Sequence, residues 1–155
     1  MGGIAGRSES TVRNCYAKSV LSGGSYIGGI AGWAANLRSC CAIATVKEGT
    51  EYIGAVLGSV KTDGVINGNV FIDTGIAGVD GISYAGKAEP IAFSDLVKKE
   101  GLPSELTEFK LILTADEKTV ETIPFSYGDD LSRVTLPEVP EKSGYFGKWG
   151  EFDTS

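Results

Sequence analysis

Apolar residues in the first half of the chain come in short runs of Ile, Val, Tyr, Cys and Ala, each broken by Gly, Ser, Asn or Asp. No apolar stripe of helical period and helical length occurs in residues 1–88. Such runs predict short strands joined by tight turns. The pattern also recurs. Residues 2–6 read GGIAG, residues 28–32 read GGIAG again, and residues 54–58 read GAVLG, a spacing of 26 both times. Tyr26-Ile27 and Tyr52-Ile53 precede the second and third copies. Between them VRNCYA (12–17) is echoed by LRSCCA (37–42), with VINGNV (65–70) as a third copy retaining Asn67. A period in the range of about 20–50 residues marks stacked units, none of which can bury its apolar face alone. The expectation is a short β-solenoid of two to three coils of about 26 residues. Equivalent residues would lie about 4.8 Å apart in successive coils. Ile4, Ile30 and Val56 would form one inward ladder, and Val12, Leu37 and Val65 another. Glycine would supply positive φ at corners and close backbone approach elsewhere.

The pattern changes after residue 88. AFSDLVKKEGLP predicts a short helix, with Ser94 as N-cap, Asp95 in the first turn, Lys98 and Lys99 in the last, and Gly101 and Pro103 as stop signals. FKLILT (109–114) and TVETIPFSY (119–127) read as strands joined by an ADEK turn. Pro124 cannot donate to a ladder, so its strand is an edge or carries a bulge. Leu136, Tyr145, Phe146 and Trp149 are candidate core anchors. A mainly β protein is predicted, with a small α+β domain following the repeats.

Composition shifts at the same place. Residues 1–88 hold 17 of the 22 glycines, all three cysteines and no proline, with seven basic and six acidic residues. Residues 89–155 hold all five prolines, and fourteen acids face seven bases there, so this part carries the whole net negative charge, −7 against +1 in residues 1–88. The domains are therefore expected to be 1–88 and 89–155, with the boundary near Lys87–Pro90. The acidic balance argues against nucleic acid as a partner. No uncharged apolar run is long enough for a membrane span, and the N-terminus lacks the pattern of a signal peptide.

Two resemblances follow from these residues. IGGIAG with NCYA resembles the GLUG repeat of bacterial surface proteins. Gly-Ile-Ala-Gly stands at 3–6 and 29–32, and Asn14-Cys15-Tyr16 matches the frequent Asn-Cys-Tyr. The third copy departs from the pattern, with Ala55 for a Gly and Gly68-Asn69 where Cys-Tyr would stand, and a further GIAG at 75–78 is out of phase. This resemblance covers roughly residues 1–86 and implies an extracellular β-solenoid segment without chemistry of its own. VETIPFSYGDDL…LPEVPEKSGYFGKW resembles the Listeria–Bacteroides repeat, a small β-grasp-like module found in tandem on bacterial surface proteins. Tyr127-Gly128, Leu136-Pro137, Pro140, Gly144-Tyr145 and Trp149 carry the match over about 45 residues. That family continues beyond the Trp, so the chain reads as a segment cut from a longer parent, truncated within this module.

Candidate chemistry is sparse. Histidine is absent, which removes the commonest general base and metal ligand together. GGIAG lacks the strand–loop–helix context of a phosphate-cradling loop. Cys15, Cys40 and Cys41 have no C-x-x-C spacing, and the first two occupy equivalent repeat positions, as small buried ladder residues would. A disulfide from Cys15 to Cys40 or Cys41 is the alternative. Asp63, Asn67, Asn69 and Asp73 lack the order of a calcium loop and read as turn residues. Tyr127, Tyr145, Phe146 and Trp149 could form a sugar platform but read first as core. Glu138 and Glu141 sit on a Pro-flanked loop with nothing to fix their separation, so they do not read as a glycosidase pair. No catalytic, cofactor-binding or metal residue is assigned, and no cofactor is expected.

The expected function is a non-catalytic structural and adhesion module of a bacterial cell-surface protein, extracellular and acting as stalk or spacer beside neighbouring domains of a longer parent chain. The alternatives are a carbohydrate- or protein-binding module with a host glycan or protein as partner, or an accessory region of a larger surface enzyme. GLUG-like repeats resemble such regions of immunoglobulin-cleaving metallopeptidases.

Overall fold

The computed structural model describes residues 1–80 and 86–150. The chain is mainly β and divides into two compact units, Met1–Leu106 and Thr107–Ser155. The division falls after Leu106 rather than near Lys87, where the composition changes. Residues 88–90 explain the difference, because they pair as a strand with residues 69–71 of the repeats.

Among the described residues of the first unit nine strands follow one another: β1 (Ala5–Arg13), β2 (Tyr16–Ser22), β3 (Ser25–Gly28), β4 (Ala31–Arg38), β5 (Cys41–Glu48), β6 (Glu51–Gly54), β7 (Leu57–Asn67), β8 (Asn69–Phe71) and β9 (Ala88–Pro90). They form three parallel sheets, ordered β1-β4-β7, β2-β5-β8-β9 and β3-β6. Parallel neighbours need a long connection. Through β5 that connection is the two intervening strands, so each strand pairs with the one three places later, whereas β9 pairs with β8. Pro90 sits on the edge strand β9 opposite Phe71, where its missing N–H costs no ladder bond.

The register holds the Gly blocks in phase. Ala5 faces Ala31, which faces Leu57. Ile4 N–H donates to Ile30 (2.9 Å) and Ile30 N–H donates to Val56 (2.8 Å). Ile30 and Val56 are fully buried, while Ile4, with no described coil outside it, is 52% exposed. The second ladder differs from expectation. Val12 faces Leu37, but Leu37 faces Ile66, and Val65 faces Asn36. Ile66 is buried and Val65 is 41% exposed. The cause is a register shift in β7 between the partners of Ala34 and Asn36. Residues bulging there move every following side chain to a new position.

Glycine serves close approach here rather than unusual φ. A Cβ on Gly28 would lie 2.0 Å from the Ala31 carbonyl oxygen, and one on Gly29 would lie 2.1 Å from that of Ala55 and 2.8 Å from the Ala44 methyl. The second Gly of the motif thus lets the alanines of β5 pack against the next sheet. Positive φ falls instead on side-chain-bearing residues: Tyr26 and Tyr52 (54° each), and the corner residues Asn14 (52°) and Ser39 (51°), with Gly68 (63°) at the third turn. The expectation of glycine at positive φ holds at Gly68, Gly75 and Gly86 but not at the Asn14 and Ser39 corners. Asn tolerates the left-handed region, and the corner recurs because the backbone ladder holds it on both sides.

After β9 a single-turn helix α1 (Phe93–Leu96) and a 3-10 turn (Ser104–Leu106) bury Leu96 and Leu106. The N-cap is Ala92, without a side-chain cap bond, and Ser94 lies inside the turn. Lys98 and Lys99 follow the helix instead of ending it; Lys98 pairs with Asp95 at 2.9 Å. The helix expected in the second module therefore belongs to the first unit.

The second unit holds a hairpin of β10 (Glu108–Ala115) and β11 (Lys118–Ser126). Asp116 and Glu117 turn it with φ of 47° and 63°, the left-handed pair that matches strand twist in a two-residue loop. The register shifts once, between Leu113 and Thr114, and Pro124 lies opposite Lys110 in this two-stranded sheet. A 3-10 turn (Leu131–Arg133) follows, capped by the Asp130 carboxylate accepting from Ser132 N–H. The Ser132 hydroxyl first, then that N–H, lowers the Asp130 carboxyl from its ordinary value. Farther on, the Trp149 indole N–H donates to the Pro137 carbonyl at 2.8 Å. Leu136 and Trp149 are half-buried. Tyr145 and Phe146 are not core anchors: they are 72% exposed and fully exposed.

Candidate functional site

The richest side-chain surface lies on the repeats of the first unit. Tyr26 is the second residue of β3 and Tyr52 the second of β6, at the same place in paired parallel strands. Their rings stack with centroids 4.4 Å apart and planes 21° from parallel. Both remain about two-fifths exposed. The Tyr26 phenol first, then the Glu51 carboxylate, push the Tyr52 phenol up from its ordinary value.

Beside this pair, β4 presents Trp33 and β1 presents Arg7. The register Arg7–Trp33 sets the guanidinium carbon 4.3 Å from the indole ring centroid, close enough for a cation–π contact. Arg7 also pairs with Glu9. Gly6, Arg7, Tyr26 and Trp33 line a shallow, largely apolar recess of about 250 Å³. Stacked phenols, an indole and a guanidinium over an apolar floor suit a flat face carrying hydroxyls. The surface offers no nucleophile paired with a base.

A second cleft of about 340 Å³ lies along the Asn14–Ser39–Gly68 corner. Tyr16, Cys41 and Lys99 also line it. Its thiol is a poor nucleophile. Burial pushes the Cys41 thiol up, and the thiolate is the reactive form.

Three candidate groups resolve differently from one another. All three cysteines are free thiols. Cys40 belongs to the inner apolar cluster and Cys15 packs against it, and Cys40 and Cys41 are both buried. Of the oxygen-bearing set, Asp63 and Asn67 are exposed in β7, and Asp73 accepts from Gly75 N–H in a local turn. Asn69 is no turn residue. It is fully buried at the start of β8, where its Oδ1 accepts from Cys40 N–H (2.9 Å) and its Nδ2 donates to the carbonyls of Leu37 (3.2 Å) and Lys87 (2.8 Å). Among the described residues no three His, Cys, Asp or Glu side chains converge as a metal cluster. Glu138 and Glu141 are exposed, as are Asp129, Tyr127, Tyr145 and Phe146, and Asp129 accepts from Ser126 N–H.

Sequence reasoning did not single out the Arg7–Trp33 contact. Its signal was available, because the spacing of 26 that aligns the Gly blocks also aligns residue 7 with residue 33. No family model, curated protein or solved structure matches this chain.

Proposed function

We propose that the repeats of residues 1–88 form a β-solenoid of the GLUG-like kind and serve as a non-catalytic stalk and adhesion module of an extracellular bacterial surface protein. The observation that carries this reading is the parallel stacking of successive strands in three sheets, at an offset of 26 residues through the Gly blocks and of 25 to 29 elsewhere. Such a stack carries load through ladders of backbone hydrogen bonds and is stiff along its axis. The second unit reads as a module resembling the Listeria–Bacteroides repeat. The Trp149–Pro137 bond supports this, because it ties two of the positions that carry the resemblance. Single-molecule pulling on the full chain tests the stalk. Each coil of about 26 residues should release roughly 90 Å on extension, in discrete steps. Gradual lengthening at low force, without steps, would refute the reading.

A second reading is favoured by the Tyr26–Tyr52–Trp33 surface: adhesion through a host glycan stacked on these rings. A glycan array with the wild-type chain and Tyr26→Ala tests it. Binding that survives Tyr26→Ala unchanged would move the ligand elsewhere.

A further inference from the structure

Cys15 and Cys40 stand opposite one another in adjacent coils. Arg13 faces Arg38 and Tyr16 faces Cys41 in the flanking register, and Cys41 N–H donates to the Cys15 carbonyl at 2.9 Å. The two side chains also point the same way. Each thiol donates to the carbonyl two residues before it, Cys15 to Arg13 (3.3 Å) and Cys40 to Arg38 (3.2 Å). Strands in register place such Cα atoms about 4.8 Å apart, inside the range of about 4.4–6.8 Å that a disulfide spans. Cys40 and Cys41 both line the corner cleft, but Cys41 opens β5 and pairs in register with Tyr16 rather than Cys15.

We propose that Cys15 and Cys40 are a redox pair that closes to an intrachain disulfide between the first two coils when a low-molecular-mass disulfide is supplied. Cys15 is the more exposed of the two. Its thiolate attacks one sulfur of the external disulfide; that S–S bond breaks and one small thiol leaves, taking up a proton. The Cys40 thiolate then attacks the Cys15 sulfur of the mixed disulfide, and the second small thiol leaves with a proton. Two protein thiols are oxidised and one external disulfide is reduced. Parallel neighbours hold their Cβ atoms at the long end of what a disulfide accepts, so the bridge is strained and readily reduced. The inference rests on the register alone and stands apart from the function proposed above.

The test incubates the folded full-length chain with oxidised glutathione, blocks the remaining thiols and digests with trypsin. Residues 14–18 and 39–47 should emerge as one linked species, lighter by two hydrogens than the separate peptides. Fragmentation of the second peptide should place the bond on Cys40. Titratable thiols should fall from three to one per chain, the melting temperature should rise, and dithiothreitol should reverse both. Closure should be faster at pH 9 than at pH 7, since burial pushes the Cys40 thiol up to about 11. Cys15→Ser should abolish the linked species and Cys41→Ser should leave it intact. A bond mapped to Cys41, a lasting mixed disulfide at Cys15, a bridge between chains, or three free thiols after treatment would each overturn the proposal.

Discussion

Replacing Asn69 by Leu tests whether buried polar bonding, and not apolar packing alone, locks the repeats together. The Asn69 amide is fully buried and joins three other points of the chain: Leu37 at the end of β4, Cys40 before β5, and Lys87 before β9. Leucine is close in volume and removes all three bonds. The Cys40 N–H then loses the acceptor Oδ1. A buried donor without a partner costs about 1–3 kcal/mol. The two lost Nδ2 bonds add about 0.5–1.5 kcal/mol each, discounted at Lys87, whose carbonyl still accepts from Asn69 N–H at 3.3 Å. Added apolar burial returns about 1 kcal/mol. The net expectation is a loss of about 2–3 kcal/mol. Urea unfolding followed by Trp fluorescence measures it. The chain has two tryptophans, Trp33 in the first unit and Trp149 in the second, so the comparison belongs in a Trp149→Phe background that reports the repeats alone. Asn67→Ala, at an exposed position one coil-corner away, is the control and should stay within about 0.5 kcal/mol of its parent. If Asn69→Leu also stays within that margin at an unchanged m-value, the amide bonds do not hold the coils and the reasoning fails.

Ile30→Asp should cost several kcal/mol, because its neighbours Ile4 and Val56 offer no partner for a buried charge; Ser25→Asp, at an exposed site, should leave the melting temperature unchanged, and equal melting of the pair would refute the inward assignment. Gly28→Ala should destabilise by about 1–3 kcal/mol through the contact with the Ala31 carbonyl, whereas Gly6→Ala, with open space around its Cβ position, should be near neutral in the same melts. The neutral Cys40 thiol makes stability fall at high pH. Burial raises its folded value from 9.0 to about 11, so the folded chain holds the proton more tightly. The contribution is fully present below pH 9 and is lost as pH climbs from 9 towards 11. Urea melts at pH 8 and pH 10.5 should therefore show lower stability at the higher pH, and a smaller drop in Cys40→Ala.

The recurrence of GGIAG and GAVLG at one spacing determined the stacking of β1, β4 and β7, the burial of Ile30 and Val56, and the alignment of Tyr26 with Tyr52. A local pattern that repeats imposes similar local conformation, and short apolar strands bury their residues against the equivalent strands beside them. The hairpin was likewise legible, since its strand runs flank a short polar turn. Other features depended on partners distant in sequence. Ile66 displaced Val65 because residues bulge out of β7, and no local pattern shows which residues leave a ladder. Asn69 looks like a turn residue by type; it is buried because Cys40 N–H and two carbonyls converge where the Cys ladder would continue. Residues 88–106 carry the composition of the second half yet belong to the first unit, because β8 presented an unpaired edge and β9 covers it. Tyr145 and Phe146 have the chemistry of core residues but lie exposed. A side chain's apolar character sets what it gains from burial, and only the surrounding fold decides whether there is anything to bury it against.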